Sequence, residues 1–283
     1  MNILLTGSTG FIGRSIIKNF SKNNFSLINS KSCDLTTSVP KLKNNFELCI
    51  HAAGLAHQTK NSYINTNQFY NVNVIGTINL CKALEKVKLK FFVFISSVSV
   101  YGLEKGLKVS EESALIFREP YGSSKIIAEK YLVEWCKNNG VILTILRLPL
   151  VFHTDAPGNI KKMKEAIKKG YFFNIKQNNS RKSLIHLDDV SKAIKLCYKE
   201  GGTYNVTDGR DYKFNDISVF FANNINKKVI VLPMYLARFL GRLGDFFKLF
   251  PVNSKTIDKM TNTLTFCNMK INNKFNFRTK KIF

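Results

Sequence analysis

Residues 1–14, Met-Asn-Ile-Leu-Leu-Thr-Gly-Ser-Thr-Gly-Phe-Ile-Gly-Arg, decide how the rest of the chain is read. Asn2–Thr6 is an apolar run too short for a helix and closed by a glycine, which predicts a buried strand. Glycines follow at Gly7, Gly10 and Gly13, and helical apolar spacing runs through residues 11–20. In such a strand–turn–helix each glycine has its own duty. Gly7 allows a tight turn, Gly10 lets backbone amides approach a pyrophosphate, and Gly13 lets the helix lie close against the sheet. The helix start then offers free N–H groups and the positive end of its dipole to an anion. A glycine triplet alone also fits an ordinary turn, so its meaning comes from standing directly between strand and helix.

The pattern then alternates. Residues 25–29, 48–53 and 91–96 read as strands, and 69–86 and 121–138 as helices. Asp34-Leu35 follows the second strand so closely that no helix fits before the third. Alternation of this kind predicts an α/β fold with a doubly wound, Rossmann-like parallel sheet, binding its ligand outside the carboxyl ends of the strands. Near residue 150 the composition changes, with Pro149, Pro157-Gly158, a lysine-rich helix over 160–169, short strands near 183–186 and 202–206, and helices near Val190, Phe214 and Met234. Residues 1–150 are therefore expected to form the dinucleotide-binding domain, with later strands interleaved. Residues 151–283 are expected to form a smaller C-terminal α/β substrate lobe. Residues 234–250 form a strongly apolar segment with Arg238, Arg242 and Lys248. It suits docking on a membrane surface, but burial in the small lobe is the preferred expectation.

With 45% apolar residues and 23 Phe among 283, the chain can build a large core, which excludes disordered and fibrous classes. Its 43 Lys and Arg against 19 acidic residues give a net charge of +24, scattered among many Asn. That charge suits anionic partners, and it suits equally a Lys/Asn bias spread over solvated faces. The six cysteines, at 33, 49, 81, 136, 197 and 267, show no metal or redox spacing and read as small apolar residues of a reducing cytoplasm. No apolar stretch approaches a bilayer span and no signal-peptide pattern precedes the glycines, so neither stable membrane insertion nor a metal site is expected.

Tyr121-Gly-Ser-Ser-Lys125 opens a helix and puts the phenol and the ammonium one turn apart on one face. A tyrosine ionises near pH ~10, too high for acid/base work at neutrality unless a neighbouring cation favours the phenolate. Ser97, at the end of the strand over 91–96, could hydrogen-bond the same substrate oxygen. Tyr121 would then exchange a proton with a C–O group while a nicotinamide exchanges hydride with its carbon. A Tyr-x-x-x-Lys pair by itself also occurs on ordinary exposed helices.

In this order, Thr6-Gly-Ser-Thr-Gly-Phe-Ile-Gly13, His51-Ala-Ala53, Asn73-Val-Ile-Gly-Thr77, Ser96-Ser97 before Val100-Tyr-Gly102, and Tyr121-x-x-x-Lys125 resemble the extended short-chain dehydrogenases/reductases of the NAD-dependent epimerase/dehydratase type. The resemblance covers residues 1 to about 210 and fades in the tail. It implies a catalytic Ser97, Tyr121 and Lys125. It implies cofactor contacts at Gly7, Thr9, Gly10, Phe11, Ile12, Gly13, Asp34, Leu35, Ala52, Ala53, Gly54, Asn73, Ser96, Tyr121 and Lys125, with Pro149 bordering the nicotinamide. Pro157-Gly-Asn159 and the 179–189 segment look most like bacterial UDP-N-acetylhexosamine 4-epimerases and 4-ketoreductases of surface-polysaccharide synthesis. By that likeness Ser97, Ser99 and Asn159 would touch a nucleotide sugar, expected to be UDP-linked, and Arg181 or Lys182 would meet its diphosphate. A cytoplasmic homodimer, paired through residues 67–86 and 123–138, is the family default.

The cofactor is expected to be NAD or NADP. An acidic residue usually ends the second strand where NAD is preferred, but Asn29-Ser30-Lys31 stands there, which suits either a 2′-phosphate or a plain surface turn. Sugar 4,6-dehydration needs an acid/base pair just after the serine, where this chain has Val98 and Ser99, and neither shuttles protons near neutral pH. Dehydration is therefore not expected. The leading expectation is a 4-ketoreductase, followed by a 4-epimerase with tightly held NAD. A non-catalytic dinucleotide binder is the third, and no nucleic-acid partner is expected.

Overall fold

This computed structural model describes residues 1–56, 66–247 and 251–283. The opening strand, β1 (Asn2–Thr6), has residues 3–6 fully buried and is flanked on both sides. After it come β2 (Asn24–Ile28), β3 (Phe46–His51), β4 (Leu89–Ser97), β5 (Gly106–Val109), β6 (Ile142–Leu148) and β7 (Leu150–Phe152). The later strands are β8 (Phe173–Ile175), β9 (Arg181–His186), β10 (Gly202–Asn205), β11 (Asp211–Lys213), β12 (Ile230–Leu232) and β13 (Leu264–Phe266). Helices α1 (Phe11–Asn19), α2 (Thr66–Tyr70), α3 (Gly76–Leu84), α4 (Pro120–Asn138) and α5 (Asn159–Lys168) are followed by α6 (Leu187–Cys197), α7 (Phe214–Asn223), α8 (Met234–Phe246), α9 (Ser254–Thr261) and α10 (Met269–Phe275).

Six strands form one sheet in the order β10-β6-β4-β3-β1-β2, parallel at every pairing. The doubly wound α/β expectation holds. Helices α1 and α6 cover one face through Ile16, Val190 and Ile194, and α3 and α4 cover the other through Leu80, Leu84 and Leu132. Burial on both faces is why β1 and β4 read as nearly continuous apolar runs. The chain reverses its direction of travel across the sheet between β1 and β3, which opens a crevice at the carboxyl ends. Thr6 lies opposite His51, His51 opposite Phe94, and Ser97 opposite Leu148, so the strand ends stand in register. As expected, no helix joins β2 to β3; a turn at Asp34 carries the buried Leu35 instead.

A second sheet runs β11-β9-β13-β5, with β7 added against β9, while β12 pairs with β8. Its apolar filling is Phe152, Tyr212, Ile217 and Phe221 on one side and Phe173, Ala237, Ile257 and Met260 on another. Strand β5 from the first half pairs with β13 near the chain end, which ties the tail back to the residues that follow β4.

Helix α8 overturns one expectation. It turns its small residues Ala237, Gly241 and Gly244 inward and leaves Tyr235, Phe239 and Phe246 exposed, so its bulk is not buried in the small lobe. The reason is steric: a Cβ on Gly244 would overlap the Val252 carbonyl oxygen, so the backbones are too close for large side chains between them. Lys248 lies outside the described residues.

A Cβ on Gly13 would come within 2.2 Å of the Gly7 carbonyl oxygen, a backbone atom that has no room to yield. Gly13→Ala is expected to cost about 2–3 kcal/mol of stability, measured by urea denaturation, and to weaken dinucleotide binding in the same protein.

Candidate active site

The glycine turn meets the end of β3 directly. Gly7 has φ +68°, and a Cβ there would lie 2.6 Å from Ala53 N and 2.7 Å from Ala52 O. Gly10, by contrast, has a single close neighbour, since a Cβ on it would meet only Gly7 O, at 3.1 Å. It caps α1 in extended conformation with no side-chain cap, and the first turn of α1 carries no acid. The orphan N–H groups of that turn therefore point at an uncrowded, electropositive hollow, which fits a dinucleotide's diphosphate. Thr9 is exposed at its rim, and Phe11 and Ile12 are half-buried behind it.

At the β3 end, His51 is 1% exposed and held on both ring nitrogens. Thr77 Oγ1 donates to Asn73 O at 2.7 Å, so it accepts from His51 Nε2 at 2.9 Å. Nδ1 then accepts from Thr6 Oγ1 at 2.6 Å, and Thr6 Oγ1 in turn accepts from Ala53 N at 3.2 Å. Burial, reinforced by the Lys125 charge, lowers the His51 pKa to about 3. His51 is a neutral clamp on the cofactor crevice, in keeping with its reading as a strand-end residue.

The helix expected over 69–86 is broken into α2, a π-helical turn over Asn71–Ile75, and α3. Asn73 lies in that turn and sends its amide out of the helix. Its Oδ1 accepts from Leu55 N at 2.8 Å, and its Nδ2 donates to Ser124 Oγ at 2.8 Å and Leu55 O at 3.1 Å. Ser124 Oγ donates to Tyr121 O at 2.8 Å. Asn73 thus links the β3 loop to the first turn of α4.

Helix α4 starts with Pro120 at its first turn, which suits proline because the missing N–H would be unpaired anyway. Gly122 lets this turn approach the 3₁₀ turn Val98–Tyr101, since a Cβ would lie 2.4 Å from Ser99 O. The half-buried Tyr121 therefore sits beside Ser97, whose Oγ donates to Ser99 Oγ at 3.1 Å and accepts from Ser99 N at 3.2 Å. Lys125 is 4% exposed, with Nζ donating to Ile95 O at 2.9 Å and lying 4.3 Å from the Phe94 ring centroid. A Cβ on Gly54 would meet that Nζ at 3.3 Å, so only glycine there keeps the ammonium open to the crevice. Burial lowers the Lys125 pKa to about 8, opposed by the Glu129 carboxylate.

The i,i+4 argument leads one to expect an acidified phenol. The structure gives the opposite direction: burial raises the Tyr121 pKa and the Ser97 hydroxyl works against it. The ammonium is directed at the Ile95 carbonyl and so does not offset that burial.

Beneath the trio lies a network that the sequence reading missed. Glu129, one turn beyond Lys125, takes Arg147 Nη2 at 2.7 Å and Nε at 3.2 Å, together with the Ser96 hydroxyl. Arg147 Nη1 donates to Tyr101 Oη at 3.1 Å, and Tyr101 donates to Asn205 Oδ1 at 2.7 Å. The available signal was Glu129 itself, at i+4 from Lys125 on an otherwise apolar face.

Other expected positions are less close-knit. Asp34 is exposed and its carboxylate holds Thr36 N at 2.9 Å, while Leu35 is core. Asn29 Oδ1 accepts from Lys31 N and Ser32 N, the geometry of a surface turn. Pro149 is buried between β6 and β7, Ser99 is exposed, and Asn159 is exposed at the start of α5. On β9, Arg181 is exposed and donates to Asp211 O at 2.8 Å, whereas Lys182 is half-buried and donates to Asn262 O at 2.7 Å. Burial and the charge of Lys259 bring the Lys182 pKa to about 8. Also missed was α9, whose Lys255 bonds Glu119 at 2.7 Å, two residues before Tyr121. Lys259 adds its positive charge beside both Lys182 and Glu119.

The family model described as the NAD dependent epimerase/dehydratase family matches residues 3–207, spanning every element just described up to β10. The chain belongs to that family. Its curated relatives include an N-acetyl-alpha-D-glucosaminyl-diphospho-ditrans,octacis-undecaprenol 4-epimerase of Escherichia coli O157:H7, 29% identical over 91% of this chain and 81% of the relative. A UDP-glucose 4-epimerase of Vibrio cholerae is 28% identical over 93% of this chain and 86% of the relative. Among solved structures, a UDP-galactose 4-epimerase superposes with TM-score 0.77 at 17% identity, covering 99% of this chain and 94% of the other. The Thermus thermophilus UDP-glucose 4-epimerase in complex with NAD gives 0.74 at 19%, covering 99% and 94%. At those identities the superpositions speak for the epimerase/dehydratase fold alone.

The neutral His51 makes a checkable demand. Its pKa is near 6.5 unfolded and about 3 folded, so between those values the unfolded chain holds the extra proton. Its contribution to stability is complete above pH ~6.5 and declines by about 1.4 kcal/mol per pH unit as acidity increases toward pH ~3. His51→Gln is expected to lose less stability than wild type across that window, measured as urea midpoints against pH.

Proposed function

We propose that the protein interconverts the C4 epimers of a diphosphate-linked N-acetylhexosamine, with one NAD retained throughout the cycle. The observation that carries the reading is the meeting of Ser97, Tyr121 and Lys125 at the carboxyl ends of β4 and the start of α4, in a chain whose long-matching curated relatives are 4-epimerases. The hollow over Gly10, the Gly7–Ala53 contact and the Gly54 opening fit a dinucleotide. Gly7, Gly10 and Gly13 would hold its diphosphate, and Ala52, Ala53, Gly54, Asn73, Lys125 and Pro149 its nicotinamide half. Bound NAD would supply the hydride acceptor and donor for C4.

The chain's own residues handle the oxygen. Ser97 Oγ, fixed from behind by Ser99 N, orients the C4 oxygen. Tyr121, protonated at neutral pH in the free protein because burial raises its pKa, donates to a C4 ketone. In the reverse sense Tyr121 must first release its own proton to solvent, and the phenolate then takes the C4 hydroxyl proton; the positive nicotinamide ring of bound NAD would favour that ionisation, which Lys125, turned to Ile95 O in the free protein, does not. Lys182, with Lys259 behind it, is the better candidate than Arg181 for the sugar diphosphate, because burial has already removed most of its water. Val98 and Ser99 after Ser97 supply no carboxylate, in line with no dehydration. A homodimer through α2–α3 and α4, where Tyr70 and Val133 are exposed, belongs to the same reading.

A 4-ketoreductase, the leading expectation from sequence, would use the same trio; the epimerase is preferred on the named activities of the long-matching relatives. Purified protein is expected to interconvert UDP-GlcNAc and UDP-GalNAc with no added nicotinamide and to keep its NAD through dialysis. No interconversion, with NADPH consumed on a UDP-4-keto-6-deoxy-N-acetylhexosamine, would establish the reductase instead. Tyr121→Phe is expected to lower kcat by ~10²–10⁴-fold without releasing NAD. Lys182→Gln is expected to raise KM about tenfold with little change in kcat, in steady-state kinetics.

A further inference from the structure

Helix α8 is built inside out. Its inner face is Ala237, Gly241 and Gly244, and its outer stripe is Tyr235, Phe239, Arg242 and Phe246, at spacings of four, three and four residues that fall on one side of a helix. Tyr235 is 71%, Phe239 58% and Phe246 85% exposed. Phe247, directly after the helix, is exposed as well. An aromatic surface of this extent is uncommon on a water-facing helix, and it marks an interaction site.

The charge around it identifies the occupant. Arg238 and Arg242 stand on and beside the stripe, and Lys227 and Lys228 lead into β12. The acid of α8, Asp245, is turned to the start of α9, where Ser254 N and Oγ donate to its carboxylate. Arg238 and Arg242 also line a cavity of ≈210 Å³ with Ser254, Ile257 and Asp258, at the flank of the stripe. Aromatic rings with arginines at their edge, on a chain of net charge +24, complement an anionic lipid surface: rings enter the acyl boundary and guanidinium groups stay with the phosphates. Among the described residues no helix is long and apolar enough to cross a membrane, so the contact is peripheral.

We propose that α8 docks the protein on an anionic bilayer. The helix packs on α9, and α9 reaches the catalytic helix through the Lys255–Glu119 pair and Lys182 through Lys259. Docking through α8 therefore bears on α9, the element that holds Glu119 and neighbours Lys182.

Flotation of the full-length protein with vesicles tests the docking without any turnover. Wild type is expected to float with phosphatidylglycerol/phosphatidylcholine vesicles and to remain below pure phosphatidylcholine. The pair Phe239→Glu and Phe246→Glu is expected to reduce the bound fraction by about tenfold or more, and Arg238→Gln with Arg242→Gln to reduce it too. Phe239→Ser with Phe246→Ser serves as a second pair if the charged one misfolds by circular dichroism. All variants are expected to keep wild-type turnover of UDP-GlcNAc in solution. A wild type that never floats overturns the docking. So do aromatic variants that float like wild type, which would mean general charge attraction, and a larger assembly broken by those variants without flotation, which would mean a second copy covers the face. Flotation with no 4-epimerase turnover would leave the docking standing and remove the reaction.

Discussion

The site depends on one contact between backbones: α1, the glycine turn and the end of β3 packed with no side chain between them. Gly13 rests on the Gly7 carbonyl, and Gly7 in its left-handed conformation rests on the Ala52–Ala53 peptide. Each β-carbon added there would meet main-chain atoms, which cannot move without shifting a strand. The same closeness places the free N–H groups of α1 above the crevice where the sheet order reverses. Moving α1 outward would lose the anion site and the cofactor path together.

A second constraint is electrostatic. Lys125, Glu129 and Arg147 are all nearly buried, and one carboxylate answers two cations. The Glu129–Arg147 pair is weak evidence for stability, because desolvation consumes much of the attraction, but removing either partner would leave a buried charge, which costs about 3–5 kcal/mol. What the arrangement achieves is position. Arg147 joins β6 to the 3₁₀ turn after Ser97 through Tyr101, and Glu129 receives Ser96 and fixes the helix that carries Tyr121.

The parts of the fold legible in sequence were those governed by local rules. The β1–Gly–α1 unit, the strand over Leu89–Ser97 and the helix over Pro120–Asn138 follow from short-range periodicity and glycine or proline punctuation. Ser97, Tyr121 and Lys125 were singled out by i,i+4 spacing, a strand-end serine and the family resemblance, and the fold puts Ser97 beside Tyr121 with Lys125 one turn further along α4. The direction of the Tyr121 shift was not legible: helical spacing places Lys125 one turn away but says nothing of Ile95 O, which claims its ammonium from another element. The π-helical turn at Asn73 was hidden because its cause, Leu55 and Ser124, lies outside the helix. Helix α8 misled because periodicity reveals an apolar face but not which face the protein covers. Close packing selected the glycines, and the aromatic side was left outside.

The +24 charge shows why composition and site need separate treatment. From sequence the scattered lysines fit a solvated coat as well as a ligand surface. Folding partly resolves the ambiguity, because Lys182 from β9 and Lys259 from α9, far apart in the chain, come close enough to interact. Of the two, Lys182 differs in kind. It is substantially buried, faces another cation, and has its pKa lowered to about 8. A solvated lysine has no reason to be there, since desolvation and repulsion both disfavour its charged form. Lys182 Nζ is already held by the Asn262 carbonyl, and an anion arriving between β9 and α9 would add the counter-charge that carbonyl lacks, which supports the proposed diphosphate contact.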